Sequence, residues 1–388
     1  MPDGREQLSV ETCQRLADIP AADWDACAGA DNPFLSHRFL SALEESKSVC
    51  REEGWLPQHL LLRDTGGRLL GTMPLYLKGH SQGEYIFDYG WANAYERAGG
   101  RYYPKLLSAI PFTPVTGPRL LIRDDLDAAA TASALVSGLV QITDRLQVSS
   151  THVNFPLASE VPVYEDQGFL IRNGHQYHWY NEGYRDFDGF LDTLTSRKRK
   201  SIRKERRKVT ESGIRLERLT GEDLKPEHWA AFYHFYQDTY DRKWGHPYLT
   251  PAFFDIAQET MRDDILLVMA YDGDEPVAGA LNLIGSEALF GRNWGADGHY
   301  KFLHFEACYY QAIDFAIERG LKRVEAGTQG EHKVQRGYRP VRTFSAHYIP
   351  NHSFRDAVAD FLDHERRDVT RIIDHLDDYT PFKQNNDS

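Results

Sequence analysis

The sequence uses one order of elements twice, and this repetition limits the fold more than any other feature. Each copy has two apolar segments that flank a short Gly- or Asp-containing turn and are followed by a third, namely residues 59–64, 68–77 and 85–91 in the first copy and residues 265–271, 276–284 and 288–294 in the second. Apolar runs joined by such turns predict a hairpin followed by one more strand. Because there are two copies and no shorter period, we interpret the pattern as a tandem duplication rather than a solenoid.

The second copy continues into a predicted helix and a predicted strand. Residues 301–319 place apolar side chains at helical spacing, Gly320 ends this helix, and a strand follows near residues 323–326. Glu306 falls inside the apolar stripe, where desolvation disfavours an isolated charge, so we expect it to be paired, protonated or functional. A structural carboxylate near the helix start explains Glu306 equally well.

Residues 325–340 crowd three glycines, two carboxylates, an imidazole and several cations into one transition from strand to loop. The glycines permit positive φ angles and a close approach of the backbone to a ligand. Glu331, His332 and Lys333 are therefore predicted to lie over the end of a sheet, in a ligand-binding loop. A plain solvated turn is the alternative interpretation of this loop.

Residues 197–208 carry nine cations and one anion, a net charge of +8 in a chain whose total is −12. They lie on a predicted helix of about residues 187–212, and one anion cannot neutralise them by pairing at i,i+4. We expect a phosphate-bearing polyanion such as tRNA, other RNA or anionic lipid to bind there, with a solvated arm as the alternative. The predicted polyanion-binding residues are Arg197, Lys198, Arg199, Lys200, Arg203, Lys204, Arg206 and Arg207.

Several function classes lose support from the sequence. No P-loop, GxGxxG, GxSxG or HExxH motif occurs, which argues against nucleotide-triphosphate, hydride and zinc chemistry. The four cysteines form no CxxC pair, so they are predicted to be packing residues, and no metal site is indicated. No run approaches roughly 18 apolar residues and the start lacks the regions of a signal peptide, so we expect a cytoplasmic protein without a transmembrane segment. Residues 351–379 are predicted to form a final amphipathic helix.

The order of hairpin, strand, helix and strand resembles the GNAT acyltransferase fold, in which two splayed strands admit the acyl donor. Six segments also resemble an uncharacterised bacterial family labelled peptidoglycan biosynthesis or recognition, a predicted N-acyltransferase family similar to the Fem transferases. The Fem enzymes are tandem GNAT proteins that move an amino acid from aminoacyl-tRNA onto the stem peptide of a cell-wall precursor. The segments are residues 32–36 (NPFLS), 83–88 (GEYIFD), 102–105 (YYPK), 111–119 (PFTPVTGPR), 303–310 (LHFEACYY) and 329–333 (QGEHK).

The resemblance implies an α+β fold of two GNAT-like domains, residues 1–170 and 171–388, each with a mixed, mainly antiparallel sheet flanked by helices. It implies transfer of an aminoacyl or acyl group to an amine of a cell-wall precursor or another peptide, and it makes peripheral membrane contact an expectation. A non-catalytic recognition module and an acetyl-CoA-dependent N-acetyltransferase are the alternatives.

Two departures from the related families concern the donor. Coenzyme-A-dependent GNAT enzymes have a Q/R-x-x-G-x-G/A loop whose backbone amides hold the pyrophosphate, whereas residues 294–301 here have Asp297 at their centre. We therefore expect no cofactor, and aminoacyl-tRNA rather than acyl-CoA as the donor co-substrate. Fem enzymes often carry a helical tRNA-binding arm within the second domain, whereas the basic helix here precedes the hairpin of that domain.

Transfer to an amine needs a base, a donor carbonyl held in line and cations for the developing charge. We predict Glu306 or Glu331 with His332 as the base, and Lys333 as a catalytic cation that meets Glu306 over the splayed strands. The residues predicted to bind substrate, with core packing as the alternative for at least one of the two tryptophans, are Asp88, Trp91, Arg292, Trp294, Tyr309, Gln329 and Arg336.

Overall fold

The computed structural model describes residues 8–242 and 245–383. The chain divides into two compact units. Unit 1 comprises the described residues up to Gly174 together with Thr343–Thr370, and unit 2 comprises His175–Arg342 with the described residues from Arg371 onward. The predicted domains are two continuous segments, whereas unit 1 takes in a segment from the C-terminal part of the chain.

Strands and α-helices are numbered separately, each in the order in which they occur along the chain. The strands are β1 (Ser9–Cys13), β2 (Trp55–Pro57), β3 (His59–Arg63), β4 (Leu69–Met73), β5 (Tyr76–Lys78), β6 (Lys105–Ser108), β7 (Leu121–Ile122), β8 (Thr151–Asn154), β9 (Leu170–Tyr180), β10 (Ile214–Leu219), β11 (Ile265–Asp272), β12 (Glu275–Ile284), β13 (Ala288–Ala296), β14 (Arg323–Glu325) and β15 (Arg339–Tyr348). The α-helices are α1 (Ala21–Ala28), α2 (His37–Glu45), α3 (Tyr89–Arg97), α4 (Ala128–Leu146), α5 (Val161–Asp166), α6 (Phe187–Thr193), α7 (Ser196–Glu211), α8 (Pro226–Asp241), α9 (Pro251–Thr260), α10 (Leu303–Phe305), α11 (Gln311–Glu318) and α12 (His352–Asp378).

Unit 1 contains strands of two sheets. The first is a four-stranded antiparallel sheet with the order β1-β3-β4-β7. In the second, β15, β8, β6, β5 and β2 are neighbours in that order, and only the β6–β8 pair among them is parallel. Helix α4 covers the first sheet so closely that a Cβ atom at Gly138 would lie 2.7 Å from Val10, and its Leu135 and Leu139 pack into the same core as Leu60 of β3.

The first predicted hairpin is present as β3 and β4, but the strand predicted at residues 68–77 is divided. Pro74 has no amide hydrogen for a strand pair, and it separates β4 from β5, which belong to different sheets. The strand predicted at residues 85–91 is wrong, because Tyr85 has a positive φ of 61° and helix α3 begins at Tyr89. The first copy of the repeat therefore departs from the second.

Unit 2 follows the prediction closely. Its strand order is β10-β11-β12-β13-β14-β9, antiparallel throughout except for the parallel β13–β14 pair. The strands predicted at residues 265–271, 276–284 and 288–294 are confirmed as β11, β12 and β13. The helix predicted at residues 301–319 is present as α10, a π-helical segment (Glu306–Tyr310) and α11.

The predicted basic helix is two helices. After α6, Leu194 is extended and forms an isolated antiparallel bridge with Phe382, and the amide of Thr195 donates to the carbonyl of Pro381 at 2.9 Å. The helix resumes only at Ser196, the start of α7. The predicted C-terminal helix is confirmed as α12. Within residues 8–242 and 245–383, no helix has the length and apolar content needed to cross a bilayer.

Candidate functional site

The two parallel strands of unit 2 diverge after three residues. Ala288–Phe290 of β13 pairs with Arg323–Glu325 of β14, and β14 then ends while β13 continues to Ala296. Arg292 is the extra residue of a β-bulge in β13, because Leu281 pairs with Asn293 and Asn282 pairs with Gly291. Bulges redirect side chains and are common beside active sites. Beyond Phe290 and Glu325 the two strands are therefore no longer paired, next to a distorted strand, and we call this unpaired stretch the gap.

A cluster of four rings, Trp294, His304, Tyr309 and His332, lies across this gap. The Tyr309 Oη and His332 Nε2 atoms are 3.0 Å apart. The centre of the His304 ring lies 5.4 Å from Trp294, 5.3 Å from Tyr309 and 6.1 Å from His332. Trp294 is on the free end of β13 and His332 follows β14, so this His332 cluster joins the two diverging strands. Trp294, Tyr309 and His332 are predicted site residues, whereas sequence reasoning missed His304.

The backbone that supports the His332 cluster is unusual at two points. Phe302, at the start of α10, has a positive φ of 66°, which is costly for a bulky residue. Glu306–Tyr310 forms a π-helical turn, and such turns are frequent at functional sites. Helical spacing alone predicts an ordinary helix here, so the sequence contains no signal for this turn. Tyr309 is presented from a segment whose geometry departs from the regular helix on either side.

The electrostatics of the cluster favour a neutral imidazole. Partial desolvation, together with the positive charges of Arg336 and Lys333, lowers the pKa of His332 below its ordinary value. Burial raises the pKa of Tyr309 far above its ordinary range, so the phenol keeps its proton. His332 is solvent-exposed. An exposed, neutral imidazole that is hydrogen-bonded to a phenol is suited to accept a proton from a bound amine.

Lys333 is buried beside the cluster, with 4% of its surface exposed. Its ammonium group donates to the carbonyl oxygen of Ala326 at 2.5 Å and to that of Gln329, and it lies 5.4 Å from the Tyr177 ring centre. Within residues 8–242 and 245–383 it forms no ion pair with a carboxylate. Burial lowers the pKa of Lys333 to about 8. Its charge is therefore balanced by carbonyl dipoles and an aromatic ring rather than by a carboxylate, at the loop that follows β14.

The predicted contact between Glu306 and Lys333 is wrong, because the cation against Glu306 is Arg206. Arg206 donates to Glu306 through Nη2 at 3.0 Å and through Nε at 3.2 Å, and Gln311 donates to the same carboxylate at 2.8 Å. Arg206 also bonds Asp314 at 2.7 Å. Helix α7 brings this arginine to the π-turn from 100 positions earlier in the sequence. We therefore interpret Glu306 as a structural carboxylate rather than as the base.

Arg336, predicted to bind substrate, holds the backbone of the cluster instead. Its Nη2 donates to both oxygens of Glu205 at 3.0 Å, and its Nη1 donates to the carbonyl oxygen of His332 at 2.9 Å. The guanidinium carbon lies 3.4 Å from the ring centre of Phe305. Glu205 is the single anion of the basic run. Its isolated position among cations is the only sign in the sequence that Glu205 has a specific partner.

The other predicted residues are distributed over the two units. Glu331 and Gln329 are exposed on the loop that carries His332, and Arg292 is half-buried on the bulge. Asp88 and Trp91 belong to unit 1, where Trp91 lines a cavity and Asp88 is buried. The predicted role of Glu331 as a base and the predicted roles of the other four residues in substrate binding stay predictions.

Unit 1 contains a buried cluster of charged side chains. Lys105 donates to Glu84 at 2.8 Å and to Asp88, and Tyr102 donates to Asp88 at 2.6 Å. Burial alone would lower the pKa of Lys105, but the two carboxylates outweigh it and raise the pKa. Burial raises the pKa of Glu84 to about 7 and lowers that of the neighbouring Lys78 to about 7. Sequence reasoning missed Lys105 and Glu84 as partners, although both lie in the segments that resemble the family.

The prediction that the basic run lacks internal neutralisation is wrong for most of its cations. Besides Arg206, the run forms ion pairs between Arg199 and Asp192 at 2.9 Å and between Arg203 and Asp188 at 2.8 Å. Arg207 and Lys208 both pair with Glu211, and Lys198 donates to Gln335. The three exposed cations for which the described part of the chain offers no partner are Arg197, Lys200 and Lys204. They are spaced along one face of α7.

A family model, FemAB-like, described as peptidoglycan biosynthesis/recognition, matches residues 15–384. No curated protein matches the sequence. FemX is similar in structure, with a TM-score of 0.56 and 12% identity over 88% of this chain and 98% of that one. L-PGS from Bacillus licheniformis has a TM-score of 0.53 and 11% identity over 86% and 98%. The C-terminal domain of a putative lysylphosphatidylglycerol synthetase from Agrobacterium fabrum has a TM-score of 0.52 and 8% identity over 90% and 96%. These likenesses concern the fold.

Proposed function

Because the chain belongs to the FemAB-like family, whose predicted α+β tandem GNAT fold the structure confirms, we propose that it transfers an aminoacyl group to an amine of a cell-wall precursor. The observation that carries this proposal is the His332 cluster, which lies across the gap between β13 and β14. A gap between diverging parallel strands gives an extended acyl donor access to backbone groups. The cluster supplies a proton acceptor at that gap.

In the proposed reaction, the acceptor amine attacks the ester carbonyl carbon of the donor. His332 takes the proton that the amine loses and returns it to the alcohol oxygen of the donor when the C–O bond breaks. General base catalysis of this kind typically contributes ~10²–10⁴-fold. The positive charge of Lys333 favours the oxyanion that forms on the carbonyl oxygen. Arg336 keeps the backbone of His332 in place through the 2.9 Å hydrogen bond to its carbonyl.

Two features support aminoacyl-tRNA as the donor rather than acyl-CoA. The segment after β13 has an acid, Asp297, at its centre, and the amide of Asp297 donates to the carbonyl oxygen of Val277 at 2.8 Å and is therefore not available to a phosphate. Pyrophosphate sites of GNAT type need free amides at a helix start. Arg197, Lys200 and Lys204, which have no partner within the described part of the chain, offer cations to a phosphate backbone on the same unit.

The test is a transfer assay with labelled aminoacyl-tRNA and a cell-wall precursor that has a free stem-peptide amine. We expect label on the precursor, and we expect His332→Ala to lower the rate ~10²–10⁴-fold. The matched control is His246→Ala, an exposed histidine of the same unit that has no part in the His332 cluster. Transfer from acetyl-CoA but not from aminoacyl-tRNA would overturn the donor. Precursor binding without transfer from either donor would favour the recognition module.

A further inference from the structure

Unit 1 contains a cavity of about 770 Å³ between α3 and the first turns of α12. Its walls are mainly aromatic and aliphatic, and they include Trp91, Tyr95, Phe354 and Phe361. The volume lies within the range of about 300–1,000 Å³ that is usual for small-molecule sites. The described residues that line it all belong to unit 1.

Exposed aromatic side chains surround the opening of this cavity. Phe87 is 57% exposed and stacks on Tyr89, which is 45% exposed, with the ring centres 6.1 Å apart. Phe361 is 49% exposed and lies 6.4 Å from Trp91. A group of large apolar side chains exposed at one place is often a binding site, whereas single exposed apolar side chains are common on any surface.

Among the described residues that line the cavity, the charged side chain, Arg172, is already paired. Arg172 donates to Glu365 through Nε at 2.8 Å and through Nη2 at 2.6 Å, and its Nη1 donates to the carbonyl of Phe87 at 2.8 Å. The side-chain oxygen of Asn351 accepts the amide of Phe354 at 2.9 Å. A charged ligand would therefore lose its hydration here without gaining a counter-charge.

Part of the backbone that lines the cavity is also occupied. The amides of residues 98–100 donate to the carbonyls of Ala94, Tyr95 and Glu96 in the last turn of α3. A peptide carries an amide and a carbonyl at every residue, and burying them without partners is costly. A hydrocarbon chain has no such groups. Small residues of α3 leave it room: a Cβ atom at Gly90 would meet nothing within 4 Å, and Ala94 lies one turn further along the lining.

We propose that this cavity of unit 1 binds the uncharged hydrocarbon chain of a lipid. The apolar volume, the neutralised arginine and the occupied amides of residues 98–100 all favour that chemistry over an anion or a peptide. The proposal does not depend on the transfer reaction of unit 2, and either can fail without the other.

The test uses the full chain and a series of uncharged probes, hexyl, octyl and decyl maltoside, each below its micelle concentration, with maltose as the control. Calorimetry should show affinity that rises about fourfold for each buried methylene, which corresponds to about 0.8 kcal/mol. Maltose should not bind. Affinity that is independent of chain length would overturn the proposal, as would binding of an apolar peptide in place of the alkyl probes.

Variants locate the site. Ala94→Phe should fill the cavity and weaken decyl maltoside binding about tenfold or more. Ala130→Phe, at an exposed alanine of α4 in the same unit, is the matched control and should leave binding unchanged. If Ala94→Phe does not fold, Phe361→Ser changes an exposed rim residue and should weaken binding too. Equal affinity in the wild type and both cavity variants would place the alkyl chain elsewhere and reject the proposal.

Discussion

Lys105 of unit 1 and Lys333 of unit 2 are both buried, and their charges are balanced in opposite ways. Lys105 of unit 1 is fully buried between Glu84 and Asp88, which raise its pKa above the value that burial alone would give. Lys333 of unit 2 is 4% exposed and donates to carbonyl oxygens, with no carboxylate partner among residues 8–242 and 245–383, and burial lowers its pKa to about 8. Burial of a charge therefore does not by itself identify a site. A neutralised buried charge belongs to the structure, whereas an unneutralised one is a candidate for chemistry.

The largest expected effect is on the stability of unit 1. Lys105→Met would leave Glu84 and Asp88 buried without their cation, so we expect unfolding to become easier by about 3–5 kcal/mol. Urea denaturation measures this change. Lys78→Met is the control, because Lys78 lies 3.9 Å from Glu84 and makes a weaker pair. A loss for Lys105→Met no greater than that for Lys78→Met would contradict the structural role of Lys105.

Lys333→Met should change stability little and the rate of transfer strongly, the reverse of what we expect for Lys105→Met. The substitution removes a desolvated charge as well as two hydrogen bonds, so we expect stability to change by no more than about 1–2 kcal/mol. Transfer should fall roughly 10²-fold if the charge stabilises the oxyanion. Parallel urea melts and single-turnover assays compare the two lysine variants. Destabilisation of Lys333→Met as large as that of Lys105→Met, with normal transfer in the remaining folded protein, would erase the distinction between the units.

The contributions of Lys333 and Lys105 to stability should also differ in how they depend on pH. The pKa of Lys333 is lower in the folded protein, about 8, than the ordinary value near 10.4, so the unfolded chain binds more protons between these values. Stability from Lys333 therefore increases as the pH rises through this window. The pKa of Lys105 is raised, so its contribution is complete below about pH 10.4 and is lost at higher pH. Urea melts of the wild type and both methionine variants should show stability from Lys333 that increases between about pH 8 and 10.4, and stability from Lys105 that is constant there and decreases above about pH 10.4.

The rate of transfer, plotted against pH, should have a maximum between an acidic limb and an alkaline limb. The rate should rise with pH as His332 loses its proton, with a midpoint below the ordinary histidine value because its pKa is lowered. It should fall near pH 8 as Lys333 becomes neutral. A profile that lacks the alkaline limb in the wild type, or retains it in Lys333→Met, would exclude Lys333 as its source.

The smallest effect concerns α7, where paired and unpaired cations lie on one helix. Changing Arg197, Lys200 and Lys204 to Ser should weaken tRNA binding and reduce the slope of log K against log salt by about 0.7–0.9 for each lost phosphate contact. Changing Arg199 and Arg203, which pair with Asp192 and Asp188, should reduce the slope less. Filter binding at several salt concentrations measures both. Equal slopes for the two sets would show that pairing in the structure does not decide which cations bind phosphate.

The sequence predicted best what depends on neighbouring residues. The strands of unit 2 are found within about two residues of their predicted bounds, because apolar periodicity and turn residues are local signals. Contacts between distant positions could not be predicted: Arg206 meets Glu306 across 100 positions, and Lys105 meets Glu84 across 21. The π-turn and the positive φ of Phe302 leave no trace in periodicity. Such features depend on packing that a pattern of residue types does not encode.

The return of Thr343–Thr370 to unit 1 affects how the chain can fold during synthesis. Domains made of one continuous segment can fold as soon as that segment leaves the ribosome, usually from the N-terminus onward. Here the first unit to be started is completed only after all residues up to Arg342 of unit 2 have been made. A chain that stopped at Gly174 would lack β8's partner Ser345–Tyr348 and the α12 wall of the cavity. Unit 1 can therefore be completed only when almost the whole chain has been synthesised.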